Sequence, residues 1–247
     1  MLDYLFLCLI VNSFILYIYS QVRGEKLNFF EILIAVAVFV WVDHAWFYFI
    51  ICNFIILILL SYLKNRSLPL TLHVFYGVFP WIVESVFRRL IGFFMLPIIG
   101  LNYLNVGENN IIFMCVELTS LMLYILLVKI SKFDFQRFIE MVSVSILRFF
   151  LIVTNVTMIT FYVAIEFLTG MEVYGGVPNL VYRQWLVALY FTFFILMLFY
   201  MNRSYQNWLE KEVSLAREQE LHSLSVYSKQ IEGLYEELRA FRHDYAN

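Results

Sequence analysis

The chain alternates long apolar runs with short polar linkers and ends in a segment rich in Glu, Lys, Arg and Gln. The apolar runs lie at 2–21, 28–43, 45–63, 69–99, 109–130, 140–168 and 182–203. A hydrocarbon core about 30 Å thick needs roughly 20 apolar residues for one helical crossing. The pattern therefore predicts an all-α protein, with a polytopic transmembrane bundle over residues 1–203 and a helical tail over residues 204–247.

The number of spans depends on the stretch 27–63. As a single helix it would be roughly 55 Å long at 1.5 Å per residue, which is too long for one crossing. A break at Asp43 and His44 gives two short spans, which a bilayer accommodates by local thinning. We therefore predict seven spans, with six as the alternative.

Lysine and arginine occur in every second linker. The basic linkers and the tail contain Arg23, Lys26, Lys64, Arg66, Lys129, Lys132, Arg137, Arg203, Lys211 and Arg217. Because cytoplasmic loops carry an excess of Lys and Arg, this alternation predicts a multi-pass plasma-membrane protein in contact with lipid. Its N-terminus lies outside the cell and its C-terminus in the cytoplasm.

The composition supports a membrane domain and excludes some classes of function. Hydrophobic residues make up 62% of the chain and charged residues 15%, which is far from the balance of a soluble domain. A net charge of -2 gives no support to nucleic-acid binding. Cys8, Cys52 and Cys115 lie inside apolar runs without a CxxC pair, so neither a disulfide framework nor a metal site is predicted.

Several ionisable residues fall inside the predicted spans or at their outer ends. Such residues are costly in a membrane and usually face a bundle interior or a cavity. Either they pair with one another and fix the register of the helices, or they line an outward-facing pocket for an extracellular ligand. Their concentration on one side of the membrane favours the pocket. The candidate ligand-binding residues are Asp43, His44, Glu84, Arg88, Glu117 and Glu166.

The tail carries a heptad seam. Its apolar residues are spaced by 4, 3, 4, 3 and 4, and they are Tyr227, Ile231, Leu234, Leu238, Phe241 and Tyr245. This spacing predicts a cytoplasmic coiled coil and a parallel homodimer. The alternative is an amphipathic helix that packs on its own membrane domain.

His243 occupies heptad position f, the position farthest from the seam, and is therefore expected to face water. The carboxylate of Asp244 is placed to orient the imidazole and to raise its nucleophilicity. The amide of Asn247 is placed to orient a water molecule. A lone exposed His beside an Asp is usually only a solvated helix face, so these residues alone give a weak signal.

Residues 239–247 read R-A-F-R-H-D-Y-A-N. This segment resembles the phosphoacceptor box of the quorum-sensing histidine kinases of Gram-positive bacteria, which include the accessory-gene-regulator receptor and the streptococcal competence and bacteriocin peptide receptors. Residues 72–90 and 227–238 resemble the streptococcal members. The resemblance implies that His243 is autophosphorylated, that Asp244 assists it and that Asn247 takes part in phosphatase activity. It also implies that the membrane domain binds a secreted peptide pheromone and that a response regulator receives the phosphoryl group.

The resemblance stops at Asn247, before any ATP-binding domain. We therefore expect ATP and magnesium to bind outside this chain, and we expect the chain to be inactive as a kinase by itself. The sequence leaves its status as an enzyme open.

Two other classes of protein fit parts of the pattern. His44 and Cys52 suggest a membrane cysteine protease for peptide processing, although an apolar setting keeps a thiol unreactive. A transporter or scaffold is the other alternative, but the sequence shows no internal repeat of the kind that transporters often contain.

Overall fold

The computed structural model describes residues 2–44, 50–101, 110–131, 135, 145–176 and 178–245. It describes the side chains of 8–39, 53–101, 110–131, 135, 148–172, 174–176 and 178–239. Within these residues every regular element is a helix, so the prediction of an all-α protein is confirmed for them. The α-helices are α1 (Leu2–Arg23), α2 (Phe29–His44), α3 (Ile50–Lys64), α4 (Leu70–Leu90), α5 (Asn110–Ser131), α6 (Ser145–Gly175) and α7 (Leu180–Tyr245).

Three helical stretches of the described chain are long and apolar enough to cross a membrane. They lie at Asn110–Ser131, Arg148–Glu172 and Leu180–Arg239. Shorter apolar segments lie at Phe29–Phe39 and Asn53–Lys64. The protein therefore has the helices of a membrane protein. The orientation of the chain and the full set of seven spans stay predictions.

α2 and α3 form an antiparallel pair. Glu31, in the first turn of α2, lies 2.8 Å from the ammonium nitrogen of Lys64 at the end of α3. The same carboxylate accepts a hydrogen bond of 2.9 Å from the backbone N–H of Asn28, which satisfies a donor at the start of α2. Because the start of one helix meets the end of the next, the chain reverses direction between them. The stretch 27–63 is therefore not one helix.

α4 lies at the centre of the bundle and packs against α1, α3, α5 and α6. Most of its side chains are buried, as expected for a helix that is apolar on nearly all sides. The Phe87 ring lies 5.8 Å from the Tyr124 ring of α5 and 5.7 Å from the Phe194 ring of α7. At Gly77 an added Cβ would come within 2.3 Å of Ile58, so glycine is needed there for the close approach of α3. Burial on every side makes α4 the helix that positions the charged residues described below.

Two helix ends differ from the predicted limits. The predicted span 69–99 is α-helical only as far as Leu90 and continues as a π-helical turn (Ile91–Met95) and a 3-10 turn (Leu96–Ile99). It ends at Gly100, whose φ of 77° suits glycine. The predicted linker after residue 168 is helical as far as Gly175. This helix, α6, extends to Gly175 because the glycine with a left-handed backbone that ends it is Gly176, whose φ is 62°.

The chain divides into two compact units, Met1–Asn202 and Arg203–Asn247. The first unit contains α1 to α6 and the beginning of α7. The second unit is the remainder of α7, and all of its side chains over 209–239 are exposed. The seam residues Leu234 and Leu238 are 60% and 63% exposed, so their apolar surface is available for a partner. The coiled coil itself stays a prediction.

Candidate functional site

A cluster of three charged side chains lies between α4 and α5. Arg88 follows Glu84 by one helical turn, and its Nε lies 3.3 Å from Glu84 Oε1. Nη1 of the same guanidinium lies 3.5 Å from Glu117 Oε1 on α5. Glu84 and Glu117 are each only 1% exposed. Two buried carboxylates therefore approach one guanidinium.

This cluster holds two buried carboxyl groups and one guanidinium. Both oxygens of Glu117 and Oε1 of Glu84 have no hydrogen-bond partner within the described part of the chain. Burying a carboxylate without hydrogen bonds is costly, and a single guanidinium offsets that cost incompletely for two of them. The two carboxyl groups are therefore candidates to bind a cationic group, and a ligand at this cluster stays a prediction. An ammonium or guanidinium group of a ligand has this chemistry.

A second ion pair joins α4 to α6. Nη2 of Arg89 lies 2.5 Å from Oε1 of Glu166, and the same guanidinium donates a hydrogen bond to Ser85 Oγ. Successive residues of an α-helix point about 100° apart, so Arg88 and Arg89 reach different neighbouring helices. Glu166 is thus brought to Arg89 rather than into the cluster of Glu84, Arg88 and Glu117. α4 thereby links α5 and α6 through adjacent arginines.

The sequence analysis missed a third buried pair, between Arg183 and Glu172. The guanidinium of Arg183, near the start of α7, binds the Glu172 carboxylate near the end of α6. The Arg183 guanidinium carbon also lies 5.1 Å from the centre of the Phe93 ring, a cation–π contact. A signal for this residue was present, because Arg183 is a basic residue at the predicted outer end of a span. The positive-inside rule disfavours that place unless the residue has a partner.

A buried polar network also surrounds Arg23, which the sequence analysis assigned to the linker between the first two spans. Arg23 is only 7% exposed, and Nη1 donates to the hydroxyl of Tyr19 at 3.0 Å. Its Nε lies 3.0 Å from Glu25. Nearby, Ser61 Oγ and His73 Nδ1 share a hydrogen bond of 2.7 Å. The network ties α1, α3 and α4 together and has a structural role of its own.

The structure leaves part of the predicted site undescribed. Asp43 and His44 are the last two residues of α2, and their side chains lie outside the described residues. His243 and Asp244 lie in the last turn of α7, where the backbone is described and the side chains are not. Asn247 lies outside the described residues altogether. The exposure of the His243 imidazole therefore stays a prediction.

Metal ligands and reactive thiols receive no support from the described chain. No group of three or more His, Cys, Asp or Glu side chains is arranged around a possible ion within the described residues. Cys8 is buried and Cys115 is exposed. The side chains of the predicted protease pair, His44 and Cys52, lie outside the part whose side chains are described. The protease alternative therefore gains nothing from the structure.

No family model, no curated protein and no solved structure matches the chain. The functional argument therefore rests on the residues themselves and on the geometry described above.

Proposed function

We propose that this chain is the membrane sensor portion of a receptor histidine kinase. Its seven-span bundle detects an extracellular peptide, and its cytoplasmic tail pairs with that of a second copy. Detection controls phosphorylation of His243, and the phosphoryl group then passes to an aspartate of a response regulator. ATP and magnesium are supplied by an ATP-binding domain that acts on the tail.

One observation carries this proposal. α7 is a single helix of 66 residues that begins in the apolar bundle and ends in the segment R-A-F-R-H-D-Y. A displacement at the start of α7 can therefore be transmitted along hydrogen-bonded helix to the residues around His243. A transporter or a protease has no use for such an extension.

The charged residues of the bundle supply an input to α7. Arg89 binds Glu166 on α6, and Glu172 on the same helix binds Arg183 at the start of α7. A ligand that competes for the carboxylates of Glu84 and Glu117 changes the partners of Arg88 and disturbs the helix that carries Arg89. The ligand shifts the equilibrium only if it binds one arrangement of these pairs more tightly than the other.

Phosphorylation of the chain tests the proposal. Membranes that contain the full chain are incubated with magnesium, radiolabelled ATP and a separate soluble ATP-binding domain from a peptide-sensing histidine kinase. We expect acid-labile, base-stable label on the chain. The label should disappear in His243→Gln and persist in His222→Gln, a matched exchange on the same helix.

Label that survives in His243→Gln would show that another residue is the acceptor. A complete lack of label, while the same soluble domain phosphorylates its own natural partner, would also contradict the proposal.

A further inference from the structure

Glu84 and Glu117 meet at the contact between α4 and α5. The two helices pack directly on one another, and both carboxyl groups approach the guanidinium of Arg88. Each glutamate is 1% exposed, whereas the Arg88 side chain is 24% exposed. The two carboxyl groups are therefore shielded from water, and the arginine is the member of the cluster that water reaches.

The hydrogen bonds of this cluster are incomplete if both glutamates are ionised. A carboxylate only accepts hydrogen bonds, so neither glutamate can then donate to the other. Both oxygens of Glu117 and Oε1 of Glu84 lack a hydrogen-bond partner among the described residues. The two carboxyl groups nevertheless lie within hydrogen-bonding reach of each other. A proton on one of them supplies the donor that is missing.

The charge balance of the cluster leads to the same requirement. The guanidinium of Arg88 offsets one carboxylate, and a second carboxylate adds a negative charge to the same buried place. An ion is taken out of water at a cost that is recovered only when it has a well-placed partner. Of two carboxyl groups that share a buried site, one therefore keeps its proton.

The neighbouring groups on α4 and α6 leave this balance unchanged. The next basic residue on α4 is Arg89, and its guanidinium binds the Glu166 carboxylate of α6. Tyr162 of α6 lies among the same charged residues and contributes an uncharged phenol. The ion pair of Arg89 is thus complete without the cluster.

Two further elements pack on α5, namely α1 and the π-helical turn that follows α4. The π-helical turn, Ile91–Met95, contains no titratable side chain. Within its described side chains, α1 has four titratable residues, which are Cys8, Tyr17, Tyr19 and Arg23. Arg23 is the charged one among them, and it lies in the last turn of α1, where it binds Glu25. The described part of these elements therefore brings no second cation to Glu117.

We propose that Glu117 holds a proton at neutral pH and donates a hydrogen bond to Glu84, whose carboxylate pairs with Arg88. Glu84 is the ionised member because a spacing of one helical turn holds it beside Arg88 on the same helix. The cluster then contains one hydrogen bond and one ion pair, and its charges cancel. In alkaline medium the proton of Glu117 leaves to water, and two like charges between α4 and α5 repel each other. The cluster is thus a pH-sensitive contact within the bundle.

Infrared spectroscopy of the full chain in membranes tests for this proton. A protonated carboxyl group has a C=O stretching band that is separate from the bands of carboxylates, and deuteration shifts it to lower frequency. We expect this band in the wild-type chain at neutral pH and its loss in Glu117→Gln. Glu166→Gln is the matched control, because it removes a carboxylate that is paired with Arg89, and it should keep the band. The amide bands of the same spectra show whether each variant retains its helices.

Glu84→Gln provides a second variant that tests the shared proton. Arg88 then has Glu117 as the carboxyl group beside it, so Glu117 should ionise and the band should again be lost. In the wild type, the band should decrease as the medium is made alkaline and return at neutral pH.

The absence of the band from the wild type, or an equal band in the wild type and in Glu117→Gln, would overturn the inference. A band that persists in Glu84→Gln would overturn the hydrogen bond between the two glutamates. Phosphorylation of His243 plays no part in this measurement, so either proposal can fail while the other stands.

Discussion

The same substitution at two glutamates should lower the stability of the bundle at one of them and not at the other. Glu117→Gln removes the second carboxyl group of the cluster, and Arg88 still has Glu84 at 3.3 Å. Glu166→Gln instead removes the acid that lies 2.5 Å from Arg89, a residue that is 5% exposed. The two exchanges have identical side-chain chemistry, so a difference between them reports the charge balance of each site.

The size of the effect follows from burial. Removing one partner of a buried ion pair costs about 3–5 kcal/mol, because the other charge is left buried alone. The Glu166 side chain is 31% exposed, so we expect the lower end, about 3 kcal/mol. For a bundle of this size 1 kcal/mol corresponds to roughly 2–4 °C, which gives a fall in Tm of about 6–12 °C for Glu166→Gln. Tm should stay constant or rise in Glu117→Gln.

Thermal unfolding of the purified chain in detergent measures both values. Glu218→Gln, an exchange on the exposed tail, is the control and should leave Tm unchanged. An equal fall in Tm for Glu117→Gln and Glu166→Gln would refute the view that Arg88 needs only one of its two neighbouring carboxyl groups.

Three further outcomes are expected. Asp244→Asn should slow the phosphorylation of His243 by phosphoramidate, measured by mass spectrometry, because an amide supports the reactive tautomer of the imidazole less well than a carboxylate. An unchanged rate would show that Asp244 does not assist His243. Inserting one residue after Ser214 should disrupt phosphotransfer and inserting seven should preserve it, whereas an equal response to both would argue against a continuous helix. Ser61→Ala should lower stability by about 1–3 kcal/mol through the loss of a buried hydrogen bond to an imidazole, and Ser67→Ala, at an exposed hydroxyl, should not.

The positions of the helices could be predicted because apolar runs of the right length leave few alternatives. Each predicted range contains a helix, and the break near Asp43 and His44 separates two antiparallel helices. Helix ends were predicted less well. α6 continues to Gly175 because the polar residues after 168 are compatible with a helix, and only a left-handed glycine ends it.

The partners of the charged residues could not be read from the sequence. The spacing of Glu84 and Arg88 predicts their contact, since both lie on one helix. The pairing of Arg89 with Glu166 depends on which helices are neighbours, and no pattern within either helix contains that information. The sequence assigned Arg23 to a basic linker and gave no sign of its contacts with Tyr19 and the α3 backbone, which depend on which helices are neighbours.

We propose above all that α7 presents the imidazole of His243 to water. The reactivity of this imidazole with diethyl pyrocarbonate tests the proposal directly. His222 on the same helix is exposed and His73 in the bundle is 1% exposed, so the chain carries both reference rates. Peptide mapping of the full chain in membranes should show His243 modified as fast as His222 and far faster than His73. Modification of His243 as slow as that of His73 would contradict the account.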